Sequence, residues 1–155
     1  MPAPLLALCQ YVENKLKPTN KTITVHMPEE MFGTDHDTWL LSEDILQFAS
    51  KVEIGATVIA VYMSSIKMYN SHTRKQSSRK SPIWKNLQGT PRQPTNVECG
   101  YYVMRFMRDI IHDPALAFEK KFGKKKEPVV YTQEDIDEVR LEWAEFLTKQ
   151  LQNNN

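Results

Sequence analysis

The chain has 155 residues, of which 41% are hydrophobic, and a formal net charge of +1 at pH 7. This length fits one domain, and the hydrophobic fraction is enough for a packed core. The near-neutral charge argues against a protein that coats nucleic acid, and no apolar run approaches the roughly 20 residues that span a bilayer. Two distant cysteines, Cys9 and Cys99, are too few for a disulfide framework, so a reducing compartment is expected, the nucleus or the cytoplasm.

The first 70 residues carry mostly helical patterns. Apolar residues recur at helical spacing from Leu5 to Leu16, and Pro18 is expected to end that helix. The alternation in KTITVHM predicts a short strand. Ser42, just before EDILQFA, is typical of an N-cap, so a second helix is expected to start there. IGATVIAVYMSSIKMYN has the β-branched content of a strand, but its length and one-sided apolar spacing favour a helix.

Residues 71–92 are predicted to form a basic connector followed by a loop. The stretch SHTRKQSSRKS has basic side chains but no aliphatic residue, which is typical of a solvated segment. A nuclear-import or phosphate-contacting patch is the alternative interpretation. The stretch PIWKNLQGTPRQPTN is interrupted by proline and glycine and therefore predicts a loop.

The strongest helical pattern in the chain follows this loop, with apolar residues at i, i+3, i+4, i+7 and i+8. We expect this apolar face to pack inward, with the charged residues of the helix on its other side. Its partner is expected to be a last helix that has Thr132 as N-cap. The apolar face consists of Val103, Phe106, Met107, Ile110 and Ile111. The apolar stripe of that last helix consists of Ile136, Val139, Trp143, Phe146 and Leu147.

Cys99 lies at the start of this helix, in the stretch QPTNVECGYYVMR. The unpaired N–H groups and the macrodipole of a helix N-terminus favour negative charge, and therefore a thiolate. Gln93, six positions upstream, carries an amide that could donate to an oxyanion beside the sulfur. A buried small residue is the plain alternative for such a cysteine. Neither a metal-ligand cluster nor a cofactor fingerprint is visible, so no metal and no cofactor are expected.

The motif formed by Gln, five residues, Cys and Gly-Tyr-Tyr-Val resembles the nucleophile motif of the ubiquitin-like-protein-specific (SUMO) cysteine proteases, which have an adenain-like fold. The form VECGYYVMR is similar to plant, often transposon-associated, members. LSEDILQFASKVEIGATVIAVYM and YTQEDIDEVRLEWAEF extend the resemblance, which covers roughly residues 29–148. It implies that Cys99 is the nucleophile, that Gln93 is the oxyanion-hole donor and that Trp39 contributes to a tunnel for the substrate tail. It also implies cleavage after the C-terminal Gly-Gly of a ubiquitin-like modifier, so that modifier or its conjugates are the expected partners, rather than a membrane or nucleic acid.

The catalytic histidine and aspartate of that family have no counterpart here. The family histidine is directly followed by tryptophan, and the aspartate lies on the next strand; both strands would fall between Tyr69 and Trp84. The basic connector found there is too short for three strands with turns, which need on the order of 25 residues. In a rearranged fold, His26 or His36 could approach the thiol instead. The histidines of the chain, none followed by tryptophan, are His26, His36, His72 and His112.

The sequence therefore predicts one partial protease domain over residues 1–155. Its expected parts are an N-terminal helical part (1–70), the connector and loop (71–92), and the nucleophile helix with the C-terminal helix (93–151). The expected fold class is α+β, adenain-like but truncated, mostly helical with little sheet and with apolar surface exposed where strands are missing. The expected function is that of a SUMO-type cysteine peptidase that is inactive or severely impaired. The alternatives are a non-catalytic remnant that binds a ubiquitin-like modifier and an unrelated helical interaction module in which Cys99 is structural.

Overall fold

A computed structural model describes residues 1–70, 86–113, 115, 117–123 and 130–153. In these ranges the chain is mostly helical with a small antiparallel sheet, as the sequence predicts; most of the basic connector lies outside them. The helices are α1 (Ala3–Tyr11), α2 (Glu29–Phe32), α3 (Ser42–Ala49), α4 (Ala56–Asn70), α5 (Cys99–Ile111), α6 (Phe118–Phe122) and α7 (Gln133–Asn153), and the strands are β1 (Ile23–Met27) and β2 (His36–Leu40).

The first helix changes its type of winding before it ends. The α-helix stops at Tyr11 and continues as a π-helical turn over Val12–Leu16 and a 3-10 turn over Lys17–Thr19. Asn20 then adopts a left-handed conformation with φ of 50°. Proline near the start of a 3-10 turn needs no N–H donor, so the helical path extends one residue beyond Pro18, where the sequence predicts its end.

Strands β1 and β2 pair antiparallel, with Ile23 opposite Leu40 and Met27 opposite His36. Alternate residues of β1 are buried, which confirms the strand predicted from KTITVHM. Cross-strand partners share a face of a sheet. The outward face of this hairpin therefore carries the His26–Asp37 pair and Trp39.

The ambiguous segment before residue 70 is a helix. In α4 the side chains of Val58, Tyr62 and Ile66 are buried, and their spacing matches a helical face rather than a strand. Helix α3 begins at Ser42, so this residue is the first helical residue rather than the predicted N-cap. The carboxylate of Asp44 satisfies the helix end instead, by accepting a hydrogen bond from the Leu41 N–H at 2.8 Å.

The core brings four helices together around three aromatic rings. The ring of Phe48 on α3 lies 5.5 Å from that of Tyr101 on α5 and 4.2 Å from that of Trp143 on α7, between centroids. The indole N–H of Trp143 donates to the carbonyl oxygen of Val58 on α4 at 3.3 Å. The predicted inward stripe of α7 is confirmed at all positions but Phe146, which is partly buried. Its fully buried residues are Ile136, Val139, Trp143 and Leu147.

The cap of α7 is also as predicted. Asp135 N–H donates to the Thr132 hydroxyl at 3.2 Å, and Thr132 N–H donates to the Asp135 carboxylate at 2.8 Å. These reciprocal bonds form a capping box, which satisfies two N–H groups that the helix leaves without intrahelical partners.

The predicted inward face of α5 is wrong at Val103 and Ile110, whereas Phe106, Met107 and Ile111 pack partly buried against the core. Val103 and Ile110 are 40% and 41% exposed, while Phe106 is only partly buried. Helix α5 fully buries Tyr101, on the side opposite Val103 and Ile110, and Met104, between the two sides. The reason is the partner: α7 presents acidic side chains to α5, so the charged side of α5 turns toward α7. No strand of the described chain covers the apolar side.

Ion pairs connect α5 to α7. Their charges compensate one another at low exposure, which is the condition under which buried charges are tolerated. The Asp109 carboxylate, which is 5% exposed, also accepts a hydrogen bond from the Tyr131 hydroxyl at 2.9 Å. The pairs between the two helices are Arg105 with Asp135 and Glu138, and Arg108 with Glu138 and Glu142, while Arg105 also pairs with Asp109 within α5.

Candidate active site

Cys99 is the first residue of α5, and its thiol is exposed and free. Glu98 occupies the N-cap position but makes no side-chain cap, so the N–H groups of the first turn have no side-chain acceptor there. The Glu98 carboxylate is instead bound by the Thr95 hydroxyl, which also accepts a hydrogen bond from the Val97 N–H at 3.2 Å. The thiol therefore lies at the positive end of a helix dipole with its solvent side open.

Tyr101 holds the first turn of α5 against the end of α3. Its hydroxyl donates to the carbonyl oxygens of Phe48 at 3.0 Å and Val52 at 3.3 Å, and its ring is buried. Burial raises the pKa of this hydroxyl to about 12, so it stays protonated and able to donate at neutral pH. Since Cys99 is two residues away, these bonds set the position of the thiol relative to the core.

Gly100 allows the same turn to approach the segment before α4. A β-carbon on residue 100 would lie 2.3 Å from Cγ1 and 2.6 Å from Cδ1 of Ile54. Any larger residue would push the Ile54 side chain or the helix away. The glycine that follows the cysteine in the motif thus has a packing role in this structure.

Gln93 lies on the loop that enters α5 and is exposed. Within the described part of the chain no hydrogen bond holds its amide, and none links it to Cys99. Residues just before Gln93 are better fixed: Pro91 is buried, and Gly89 N–H donates to the Phe122 carbonyl oxygen on α6 at 2.7 Å. The amide is thus free to turn toward a substrate.

Trp39 lies on the outward face of the hairpin, with its side chain 59% exposed. Its cross-strand partner is Thr24, and the two residues flank the His26–Asp37 pair on the same face. The exposed indole offers an apolar surface of the kind that a tunnel for a peptide tail would need.

No described histidine forms a pair with Cys99. The imidazole of His26 lies 3.3 Å from the Asp37 carboxylate and 3.7 Å from that of Asp35. Nδ1 of His36 lies 2.9 Å from the Thr34 carbonyl oxygen, and the ring packs edge-on against Phe32. His112 follows the last residue of α5, about 20 Å along the helix from Cys99 at the standard rise. His72 lies outside the described residues.

Two cavities lie beside α5, and Cys99 lines neither of them. The nearer one has a volume of about 180 Å³ and lies between the first turns of α5 and α7, against Glu98, Tyr102, Thr132 and Gln133. The larger one, of about 390 Å³, lies at the far end of α5 and mixes cationic and anionic side chains, including Arg108, His112, Glu142 and Lys149. Neither is a continuation of the candidate active site.

The described ranges contain no cluster of three or more His, Cys, Asp or Glu side chains that could hold a metal ion. In the same ranges, no helix is both long enough and apolar enough to cross a bilayer.

Sequence reasoning missed two residues that attach α5 to the rest of the fold. Tyr101 reads as an ordinary core aromatic, because its hydroxyl acceptors lie 53 and 49 residues earlier in the chain. Arg105 reads as a solvated residue because its acidic partners on α7 are some 30 residues later. Only the short-range Thr95–Glu98 contact, i to i+3, could have been inferred from local spacing.

Comparison with known families decides the lineage. The family described as the Ulp1 protease family, C-terminal catalytic domain, matches residues 44–153, well over half of the chain. The chain belongs to the Ulp1 protease family. Neither the comparison with curated proteins nor that with solved structures yields a match.

Membership in the SUMO-protease family, predicted from the cysteine motif, is thereby confirmed. The segment matched to the Ulp1 family includes Gln93, Cys99 and the helices α5 and α7. Trp39 lies five residues before it begins. Family membership therefore excludes the alternative that the chain is a helical module unrelated to these proteases.

Proposed function

We propose that this Ulp1-family chain is a cysteine-type peptidase domain that recognises the C-terminal Gly-Gly of a ubiquitin-like modifier of the SUMO type. Cys99 is the nucleophile and Gln93 the oxyanion-hole donor, and the fold is a truncated form of the adenain-like fold of the family. Hydrolytic turnover by this chain is absent or severely impaired. The observation that carries the proposal is the exposed Cys99 thiol at the first residue of α5, inside the segment matched to the catalytic domain.

The first chemical step needs only the thiolate and a donor. The sulfur of Cys99 attacks the carbonyl carbon of the terminal glycine, a C–S bond forms, and the carbonyl π electrons move to oxygen. The Gln93 amide, which is exposed and has no hydrogen bond to any described residue, is free to donate to that oxyanion. The dipole of α5 stabilises the negative charge at the same position.

Collapse of this intermediate needs a proton for the leaving amine. In a Cys–His pair the histidine takes the thiol proton and passes it to that amine. The three described histidines make no hydrogen bond to Cys99, and the sequence has no His-Trp pair. Because members of a catalytic unit act together, loss of the base costs several orders of magnitude in rate.

Two further features support a modifier as the partner. The indole of Trp39 is exposed and lies on a hairpin face where an extended tail could contact it. Both cysteines are free, which fits a reducing setting such as the nucleus or the cytoplasm. The VECGYYVMR motif resembles that of plant, transposon-associated members of the family, which supports a plant origin for this chain.

The test uses the full chain and a SUMO-type modifier that carries a vinyl sulfone in place of its C-terminal carboxylate. We expect a covalent adduct that forms with the wild-type chain and with Cys9→Ser but not with Cys99→Ser. A SUMO-type precursor with a C-terminal extension should be cleaved only at the background rate. Absence of the adduct would contradict the proposed attack of Cys99 on the C-terminus of the modifier.

Precursor cleavage above background that disappears in Cys99→Ser would contradict the proposed impairment. Alanine substitutions at His26, His36 and His72 would then identify the residue that serves as base. Non-covalent capture of the modifier by both wild type and Cys99→Ser, without an adduct, would favour a remnant that binds modifiers without chemistry.

A further inference from the structure

Among the described residues, one arc of α5 is left largely uncovered, and Cys99 lies on it. Since successive residues turn about 100° around a helix, Cys99, Val103, Met107 and Ile110 fall within about 80° of one another. Cys99, Val103 and Ile110 are exposed, and Met107 is partly buried. These four residues are called the open face of α5 below.

The remaining circumference of α5 is occupied. Gly100 contacts the segment before α4, where Ile54 leaves no room for a β-carbon. Arg105 and Arg108 pair with acids on α7. The ring of Phe106 packs against those of Phe122 and Tyr131, which closes the arc on its other side.

We propose that the open face is a docking surface for a short apolar peptide in extended conformation, the part of the substrate that follows the scissile bond. This inference rests on the proposed function, because it places the leaving side of the substrate next to the attacked carbonyl. Along α5 the face runs from Cys99 to Ile110, about 16 Å at 1.5 Å per residue, which an extended chain of about five residues spans.

The area of the face argues for a peptide and against a second copy of the chain. Val103, Ile110 and the neighbouring Val97, all about two-fifths exposed, present on the order of 200 Å² of surface, whereas a stable interface buries about 800 Å² per partner. A contact of this size is typical of weak, transient binding, as expected for a substrate segment.

The lack of charged side chains on the open face favours an apolar peptide over a charged one. The open face carries no ionisable side chain apart from the thiol itself, because the charged residues of α5 point toward α7. A charged segment would lose hydration there without gaining a partner. Alternate side chains of an extended peptide share one side, so apolar residues at its first, third and fifth positions would contact the face.

The test compares two alkylating pentapeptide amides on the full chain: bromoacetyl-Leu-Ala-Val-Ala-Leu and bromoacetyl-Ser-Ala-Thr-Ala-Ser. We expect Cys99 to be labelled about tenfold faster by the apolar peptide, as burial of on the order of 60 Å² of apolar surface implies. Labelling at Cys9, followed in the same digest by mass spectrometry, should not distinguish the peptides.

The double variant Val103→Thr/Ile110→Thr should bring the two rates at Cys99 close together while leaving the iodoacetamide rate there unchanged. The matched control is Leu6→Gln, an exposed apolar residue on α1, which should keep the tenfold preference. Equal rates for the two peptides on the wild type, or a preference that survives in the double variant, would overturn the docking surface. So would sedimentation that shows a dimer lost in the double variant.

The two proposals can fail separately. A vinyl-sulfone adduct without peptide preference would leave the nucleophile assignment intact and remove only the docking surface. Peptide preference without a modifier adduct would keep the open face and remove the modifier as substrate.

Discussion

Gly100 lies so close to the Ile54 side chain that a β-carbon does not fit between them. A β-carbon at residue 100 would lie 2.3 Å from Ile54 Cγ1, well inside contact distance. This contact fixes the first turn of α5, and Cys99 with it, against the segment that precedes α4. The position of the thiol is therefore set by packing on one side and by the Tyr101 hydrogen bonds on the other.

Gly100→Ala is expected to destabilise the fold although alanine is the better helix former. The helix gains about 1 kcal/mol in propensity, but overpacking costs about 1–3 kcal/mol, so the net loss should be up to about 2 kcal/mol. Urea unfolding measures it. In the presence of Ile54→Ala the same substitution should become stabilising, because the clashing atoms are gone; an unchanged cost would show that the contact does not exist.

Tyr101→Phe should weaken the attachment of α5 to α3. It removes a buried hydroxyl that donates to two carbonyl oxygens, and we expect a loss of about 1–2 kcal/mol in the free energy of unfolding. The same change at Tyr11, whose ring is only half-buried, serves as control and should cost less than about 0.5 kcal/mol. Equal effects of the two substitutions would contradict the anchoring role.

Asp109→Ala should be among the most damaging single substitutions in the chain. It leaves the nearly buried Arg105 guanidinium without one of its carboxylates and the Tyr131 hydroxyl without its acceptor, and breaking a buried pair costs about 3–5 kcal/mol. Glu138→Gln, at a 45% exposed member of the same network, should cost less than about 1 kcal/mol. Thermal unfolding followed by circular dichroism distinguishes the two, and the reverse order would refute the network as described.

The lowered pKa of Asp137 predicts how the free energy of unfolding depends on pH. Burial acts to raise the pKa of this carboxyl, but hydrogen bonds from Gln133 and Arg140 and the Arg140 charge prevail and hold the pKa below its usual range. Its contribution is therefore present above about pH 4 and is lost as the pH falls through the lowered pKa. Unfolding curves between pH 5 and pH 2 should show a shallower acid decline for Asp137→Asn, whereas Glu134→Gln, exposed on the same helix, should follow wild type.

The two cysteines should differ in reactivity. The thiol of Cys9 is partly buried, and burial raises its pKa, while the Cys99 thiol is exposed at a helix N-terminus. At pH 8 we expect iodoacetamide to alkylate Cys99 about tenfold faster than Cys9, since the rate follows the accessible thiolate. Peptide mapping of the modified chain measures both rates, and Cys99→Ser should remove the fast phase only. A faster Cys9 would argue that the first turn of α5 is not formed as described.

The sequence by itself determined the features that depend on neighbours along the chain. Hydrophobic periodicity predicted α7 with its Trp143 stripe, and the alternation in KTITVHM predicted β1, because both patterns arise from the geometry of a single element. The spacing of Gln93, Cys99 and Gly100 identified the protease family, which the match over residues 44–153 confirms.

Tertiary structure alone decided which side of α5 is inside. Periodicity measures amphipathicity but not the identity of the partner, and the apolar side of this helix was therefore assigned to the core. The acids of α7 made the opposite side the favourable one, since Arg105 and Arg108 gain carboxylate partners on α7 there. Asp109 pairs with Arg105 within α5 on the same side. Val103 and Ile110 are left in solvent beside Cys99, because no described strand of this chain lies over them.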